Sequence, residues 1–348
     1  MKRKTHISTI CAGMILFLAV TSACSRTSGP TRETRFLLGT AASISIFDES
    51  YPSSALGSAF DRVSEIQGLM SINESEYDDT EILAVNRNAG VRPQAVSSET
   101  RRVVEAGVAW AEQTNGAFDI SIAPVVTLWG IGTPREQVPA PEAIQARLSR
   151  VDFRQIDLSE AGHVFLPVEG MALDVGGIAK GFAVDEAARI LREAGIRHAL
   201  IDFGGDIFTV GTRVDGNPWR IGVQHPSAAR QDLLAVVEIT DQAIVSSGDY
   251  ERFFERNGIR YHHIIDPGTG MPARSGLTSV TVIGPDAMGA DALSTGMFVM
   301  GLEPALALIE SLPDYEAIIA TSQRRVYVSS GLQGQIELRA DDHELAGE

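Results

Sequence analysis

A glycine pair followed by a lysine, in LeuAspValGlyGlyIleAlaLysGly (173–181), is the first place where residue type and spacing could do chemistry. An apolar strand-like run ends at the glycines and a helix starts within a few residues, so free N–H groups and the positive helix end form an anion site. Lys180 falls in the first helical turn, where a cation opposes the dipole; a bound anion would account for it, and so would a solvent-facing lysine on a glycine turn. A second segment, AspAlaLeuSerThr (291–295), places Asp291 and Thr295 four residues apart, on one face of an expected helix. That hard-oxygen pair suits Mg²⁺, which takes few protein ligands; a local helix-surface hydrogen bond is the plain alternative. The third, TyrHisHisIleIleAspProGlyThrGly (261–270), sets His262 and His263 on opposite faces of a strand just before a turn, so only one can serve a given site. A histidine there is either a proton acceptor for a hydroxyl or an exposed edge-strand residue.

Other segments are less informative alone. AspPheGlyGlyAsp (202–206) matches a kinase metal loop only by chance, since no other kinase segment is present, and Gly204 and Gly205 read as a sharp turn. GlyAlaPheAspIle (116–120) follows a helix and reads equally as a structural corner.

The elements that must position these groups follow from periodicity. Residues 34–47 alternate as a strand, with Thr40, Ala42, Ile44 and Ile46 on one face. Leu56, Phe60, Val63, Ile66 and Met70 form a helical stripe over 53–71, and a second helix is expected from Ser97 to Asn115, stopped by Gly116. Short strands are expected at 154–158, 163–168 and 171–175, then a helix over 177–194. Strands follow near 197–203, 206–212, 218–224, 233–239, 260–265 and 277–283. Helices at 287–300, capped by Asp286, and 303–311 precede a strand pair near 315–328. Irregular interruption of strands by helices predicts an α+β fold of mixed, largely antiparallel sheets with packed helices.

Composition narrows the function. With 44% hydrophobic and 21% charged residues the chain is globular rather than disordered. A net charge of −16, from 45 Asp+Glu against 29 Lys+Arg, argues against a nucleic-acid partner. Lys2, Arg3 and Lys4, the apolar run Ile7–Val20 and small residues up to Ala23 have the three-part form of a secretory signal. ThrSerAlaCys (21–24) resembles a bacterial lipobox, which implies cleavage before Cys24, its lipidation, and anchoring to the extracytoplasmic, periplasmic face of a membrane. Cys11 leaves with the signal, so no disulfide, cysteine zinc site or core cysteine nucleophile remains. The expected organisation is a signal peptide (1–23), a lipidated tether (24–33), one domain (34–330) and a strand end with a solvated acidic tail (331–348).

Taken in order, LeuGlyThr (38–40), GlyAlaPheAspIle (116–120), LeuTrpGlyIleGly (128–132), the run 172–185, IleAspPheGlyGlyAsp (201–206), SerGlyAspTyrGluArg (247–252), HisIleIleAspPro (263–267) and AlaAspAlaLeuSerThr (290–295) resemble the ApbE family of FAD:protein FMN transferases. The resemblance implies a T-fold-related architecture and Mg²⁺-dependent attack of a Thr or Ser hydroxyl of a partner protein on the flavin-side phosphorus of FAD, with AMP leaving. It implies metal ligation by the Gly177 carbonyl, Asp291 and Thr295, flavin and adenine contacts from Leu38, Asn73, Ala117, Phe118, Asp119, Asp174, Lys180 and Ile265, and catalysis by His263 with Asp291. The acceptor would be a subunit of a membrane redox complex. Leu38, Asn73 and Gly268 stand where the family commonly has methionine, an aromatic residue and arginine. FAD hydrolysis to FMN and AMP, or flavin binding without catalysis, are the alternatives.

Overall fold

The computed structural model describes residues 29–73, 76–227 and 232–346, so the expected signal and Cys24 lie outside the described residues. The chain from 34 to 47 is a hairpin rather than one strand: β1 (Thr31–Leu37) and β2 (Thr40–Ile46) pair across Leu38 and Gly39. Both turn residues have left-handed torsions (φ 55° and 68°), the two-residue turn whose twist matches paired strands. Because β1 starts at Thr31, the end of the expected tether belongs to the sheet.

α1 (Ala55–Met70) buries the expected stripe, and α2 (Glu81–Arg87) and β3 (Gln94–Ala95) lead to α3 (Ser98–Gln113). Ser97 caps α3, its Oγ accepting the Thr100 N–H at 3.2 Å. α4 (Ala123–Trp129) and α5 (Pro141–Leu148) each carry proline in the first turn. The strands expected at 154–158, 163–168 and 171–175 are replaced by a 3-10 turn (Phe153–Gln155), the two-residue β4 (His163–Val164) and isolated bridges.

α6 (Gly176–Glu193) then precedes β5 (Ala199–Phe203), β6 (Asp206–Val210), β7 (Trp219–Gln224), β8 (Leu233–Ile239), β9 (Ala243–Gly248), β10 (Phe253–Arg256), β11 (Ile259–His262) and β12 (Leu277–Gly284). α7 (Ala287–Met300) and α8 (Leu302–Glu310) separate these from β13 (Glu316–Thr321), β14 (Arg325–Val328), β15 (Ile336–Leu338) and β16 (Glu344–Leu345). The fold is α+β.

Nine strands form the main sheet in the order β1-β2-β5-β6-β9-β12-β13-β14-β16, antiparallel throughout except β14 with β16. Its two faces are both covered. Ala243, Val245, Val280, Val282, Ala317 and Ile319 belong to the cluster that includes α1, α6 and α7. Their neighbours Ile244, Ile283, Ile318 and Ala320 pack on the opposite side against Trp219, Val223 and Val237 of the β15-β8-β7 sheet. Period-two alternation with both faces buried explains why these strands read as continuous apolar runs. A third cluster joins Val125, Trp129, Ile144 and Ile265 to Phe254 and Tyr261 of the β10–β11 hairpin.

The C-terminal stretch, expected as a strand end and a solvated acidic tail, adds strands to two sheets, while Asp341, Asp342 and Glu344 remain exposed. β15 pairs with β8, β16 pairs with β14, and His343 is buried. Among the described residues no helix is long and apolar enough to cross a membrane.

Candidate active site

α6 and α7 cross on the helical face of the main sheet, and their contact builds the site. α6 begins irregularly: Gly177 leaves helical torsions (φ −89°, ψ 16°), and the Gly181 N–H, which in a regular helix closes on the Gly177 carbonyl, is donated to Asp291 Oδ2 of α7 at 3.1 Å. A Cβ added to Gly177 would lie 3.6 Å from Thr295 Oγ1 and 3.2 Å from the Phe118 ring. The expected trio Gly177, Asp291 and Thr295 is therefore brought together. Ser247 of β9 joins it, its hydroxyl 2.9 Å from Ser294 Oγ and 3.2 Å from Thr295 Oγ1.

Lys180 is not the free phosphate-facing cation that its position in α6 suggests. Its ammonium lies 2.7 Å from Asp206 Oδ1, at the start of β6, and Asp206 is fully buried. Burial alone would lower the lysine pKa, but the Asp206 and Asp291 charges outweigh it and hold the group above its usual range. Asp206 and Asp291 are both pushed up, first by burial; mutual repulsion adds to this for Asp291, and Lys180 opposes it for both. Two carboxylates thus share one ammonium. Asp206 Oδ2 finds no donor among the described residues beyond whatever proton the acid pair keeps between its members.

A divalent cation fits this donor set. It would balance the second carboxylate and find the Thr295 hydroxyl and the Gly177 backbone close by, hard oxygens of the kind Mg²⁺ prefers.

His263 follows β11. Its backbone N–H and its ring Nδ1 both face the Arg252 carbonyl, at 3.0 and 3.3 Å, so Nδ1 carries the ring proton and Nε2 keeps the lone pair. Desolvation, helped by Arg252, His262 and Lys180, pushes its pKa down to about 3, leaving the imidazole neutral. His262, on the other face, is buried with Nε2 on the Ala273 carbonyl at 2.9 Å and its ring edge-on to Phe298.

The remaining expected contacts divide. Asp174 holds the Gly176 N–H at 2.8 Å; burial raises its pKa, while that bond and Arg252 lower it. The Leu38–Gly39 turn lies against the Gly204–Gly205 turn, where a Cβ on Gly204 would meet Thr40 Oγ1 at 2.1 Å. Phe118 packs on Gly177 and Gly296, with Ala117 half-buried beside it. Asp119 is engaged structurally, accepting from Ser121 N and Oγ at 2.7 and 2.6 Å and from Phe153 N at 3.1 Å. Ile265 packs with Trp129 in the third cluster, and Asn73 is exposed beyond α1.

Asp206 and Ser247 are site residues that sequence reasoning missed. The signal for Asp206 is parity: it shares a strand face with Phe208 and Val210, both buried, and a buried carboxylate requires a partner.

Comparison with known proteins adds to this geometry. The ApbE family pattern matches residues 38–319. A FAD:protein FMN transferase from Treponema pallidum (strain Nichols) is 36% identical over 298 residues, covering 82% of this chain and 82% of that protein. One from Klebsiella pneumoniae (strain 342) is 35% identical over 272 residues, or 78% and 83% of the two chains. Among solved structures, the ApbE protein from Thermotoga maritima superimposes with a TM-score of 0.80 at 30% identity, covering 88% of this chain and 99% of that one. The flavin transferase ApbE from Vibrio cholerae gives a TM-score of 0.78 at 30% identity, with the same 88% and 99% coverage.

Proposed function

This chain belongs to the ApbE family and is a flavinyltransferase; from that premise we propose that it moves the FMN half of FAD, with Mg²⁺, onto a threonine or serine hydroxyl of a partner protein and releases AMP. The observation that carries the reading is the buried pair Asp206 and Asp291, sharing the single ammonium of Lys180 beside Thr295 and Gly177. Asp291, Thr295 and the Gly177 carbonyl would hold the cation. When bound, Mg²⁺ neutralises charge on the pyrophosphate as its bridging bond breaks.

The chain's own groups supply the rest. Lys180, pinned by Asp206, fixes the charge balance of the acid pair rather than reaching out to substrate. His263 presents Nε2 to the incoming hydroxyl and takes its proton while the oxygen bonds to the flavin-side phosphorus and the phosphoanhydride oxygen leaves with AMP. The deciding experiment incubates the chain with FAD, Mg²⁺ and an acceptor. Fluorescent flavin on the acceptor in a denaturing gel, with one AMP per label, is the expected result. AMP without label would point to hydrolysis, and FAD retained without AMP to a binding protein.

His263→Ala should slow transfer about 100-fold, the lower end of general-base effects because a group with so low a pKa is a weak base. FAD affinity should change much less. The wild-type rate should also lack an acidic limb near pH 6.5, since the ring is already neutral there. A limb at that pH that disappears in the variant would show that the ring titrates normally and is not desolvated as described, whereas wild-type transfer by His263→Ala would remove His263 as the base.

Export and lipidation at Cys24 are part of the same proposal and rest on the basic, apolar and small-residue pattern of residues 2–24. Globomycin should cause the unprocessed precursor to accumulate; a mature chain that ignores the inhibitor and stays in the aqueous rather than the detergent phase would end this part of the reading.

A further inference from the structure

A second cluster of ligating groups lies on the other side of the main sheet. His225, which follows β7, and His343, just before β16, are both buried, with 6% and 5% of their surfaces exposed. Between them Asp342 Oδ1 takes a hydrogen bond from each ring, from His225 Nε2 at 2.9 Å and from His343 Nδ1 at 2.9 Å. One ligand atom from each of the three residues falls within 4.8 Å of the others. His225 and Asp342 also line a cavity of about 660 Å³ whose wall carries Asp232 and Asp341 as well as Arg324 and Arg339.

We propose that His225, Asp342 and His343 form a binding site for a borderline divalent cation, Zn²⁺ above all, separate from the transfer site. Two imidazoles and one carboxylate are the donor set that such ions prefer, and a fourth position opens on the cavity, where water completes a tetrahedron. Mg²⁺, which takes oxygen ligands in octahedral array, does not compete there. Ligand atoms at ~2.0–2.2 Å from one tetrahedral ion lie about 3.3 Å from each other, so each nitrogen–oxygen pair opens by a few tenths of an ångström while the two nitrogens, within 4.8 Å of each other, close together through side-chain rotation.

Charge and protonation suit the ion. The cavity wall carries three carboxylates, Asp342 among them, against two guanidiniums, and Arg324 lies 3.6 Å from Asp342 Oδ2, leaving Oδ1 to the rings. His225 Nδ1 accepts the Ser227 N–H at 3.2 Å, so its proton sits on Nε2. Binding moves the His225 proton from Nε2 to Nδ1, giving up the Ser227 contact, the longest of the hydrogen bonds that hold the cluster, and moves the His343 proton from Nδ1 to Nε2, so that the ion replaces both ring-to-Asp342 hydrogen bonds. In return the ion ties the β7–β8 connection to the C-terminal strand, 117 residues away.

The test uses the full chain carrying Asp291→Asn, which removes from the transfer site the carboxylate that would hold a cation and leaves Asp206 paired with Lys180. Titration against a chromophoric zinc chelator should give one Zn²⁺ per chain, unaffected by millimolar Mg²⁺. His343→Gln on that background should weaken binding by at least ~100-fold, the upper end of what losing an outer-shell partner alone costs. Saturating Zn²⁺, at about 100 times its dissociation constant, should raise the melting midpoint by about 5 °C. No stoichiometric Zn²⁺ on the Asp291→Asn chain, or equal affinity in His343→Gln, would overturn the site. Since His343 is buried and its replacement can disturb folding, Co²⁺ loading of the chain with its histidines intact supplies a second readout. Intense d–d bands of four-coordinate Co²⁺ are expected, and the weak bands of a six-coordinate ion would reject the assignment.

Discussion

Asp291→Asn should lower kcat/KM for flavin transfer by at least ~10³-fold, equivalent to about 4 kcal/mol, the several kcal/mol that cation stabilisation of a phosphoryl transition state supplies. The amide keeps an oxygen for the Gly181 N–H, so the α6–α7 contact survives while the charge that would hold the cation is lost. Stability should not fall with activity. In the wild-type chain Asp291 and Asp206 repel each other around one lysine, whereas the variant leaves a simple Lys180–Asp206 ion pair. The pH dependence carries the same signature. Both acids have folded pKa values raised above their unfolded ones, so the native state binds more protons than the unfolded state. Their contribution is fully present below the unfolded carboxylate pKa of about 3.9 and is lost as pH rises through the folded values. Without metal, the wild-type chain should therefore lose stability relative to Asp291→Asn as pH rises from acid toward neutral, the carboxylates held low elsewhere contributing equally to both chains. Urea unfolding at two pH values, with and without Mg²⁺, measures both effects; a variant that transfers flavin at the wild-type rate would remove Asp291 from the site.

Much of this candidate site is legible in the sequence alone, and what is hidden there has a common cause. Asp291 and Thr295 share a face because they are four apart in a helix that Asp286 caps through Gly289 N, a purely local pattern. The stripe of α1 and the apolar run of β8 are equally local. The β9 strand is absent from the sequence-based elements: its three apolar residues are too few to show a period before Ser246, Ser247 and Gly248. Only pairing with β12 makes sense of them, since Ser246 bonds Thr281 on one face and Ser247 meets Ser294 and Thr295 on the other. Lys180 shows the same limit. Its place in the first turns of α6 follows from the glycine pair, but its partner comes from β6, and an ion pair between a helix and a strand leaves no periodic trace. The C-terminal residues misled by composition. Acidic residues suggest solvation, and Asp341, Asp342 and Glu344 are exposed, but His343 is buried and β15 and β16 pair with β8 and β14.

Gly181→Ala should destabilise the chain by about 3 kcal/mol, at the upper end of overpacking costs, and impair transfer in whatever fraction remains folded. The added Cβ would stand 2.2 Å from the Ala287 carbonyl oxygen and 2.8 Å from Met288 Cα, which are backbone atoms and cannot rotate away as a side chain would. Nor can that backbone retreat easily. Asp185, one turn beyond Gly181 on the same face of α6, accepts the Ala287 and Met288 N–H groups at 2.7 and 2.9 Å. Burial pushes the Asp185 carboxyl up to about 7 even against those two bonds, so the contact is desolvated as well as close. The glycine, the aspartate and the start of α7 therefore set one interhelix distance, and that distance places Asp291 where the Gly181 N–H can reach it. Gly57→Ala is the control. It lies inside α1 with nothing within 4 Å of an added Cβ, so better helix propensity alone should stabilise the chain by about 0.5–1 kcal/mol. Urea unfolding of both variants separates the two effects, because opposite signs are expected from the same chemical change. If Gly181→Ala unfolds at the wild-type midpoint, the helices have room to part, and the spacing that positions Asp291 must be set elsewhere.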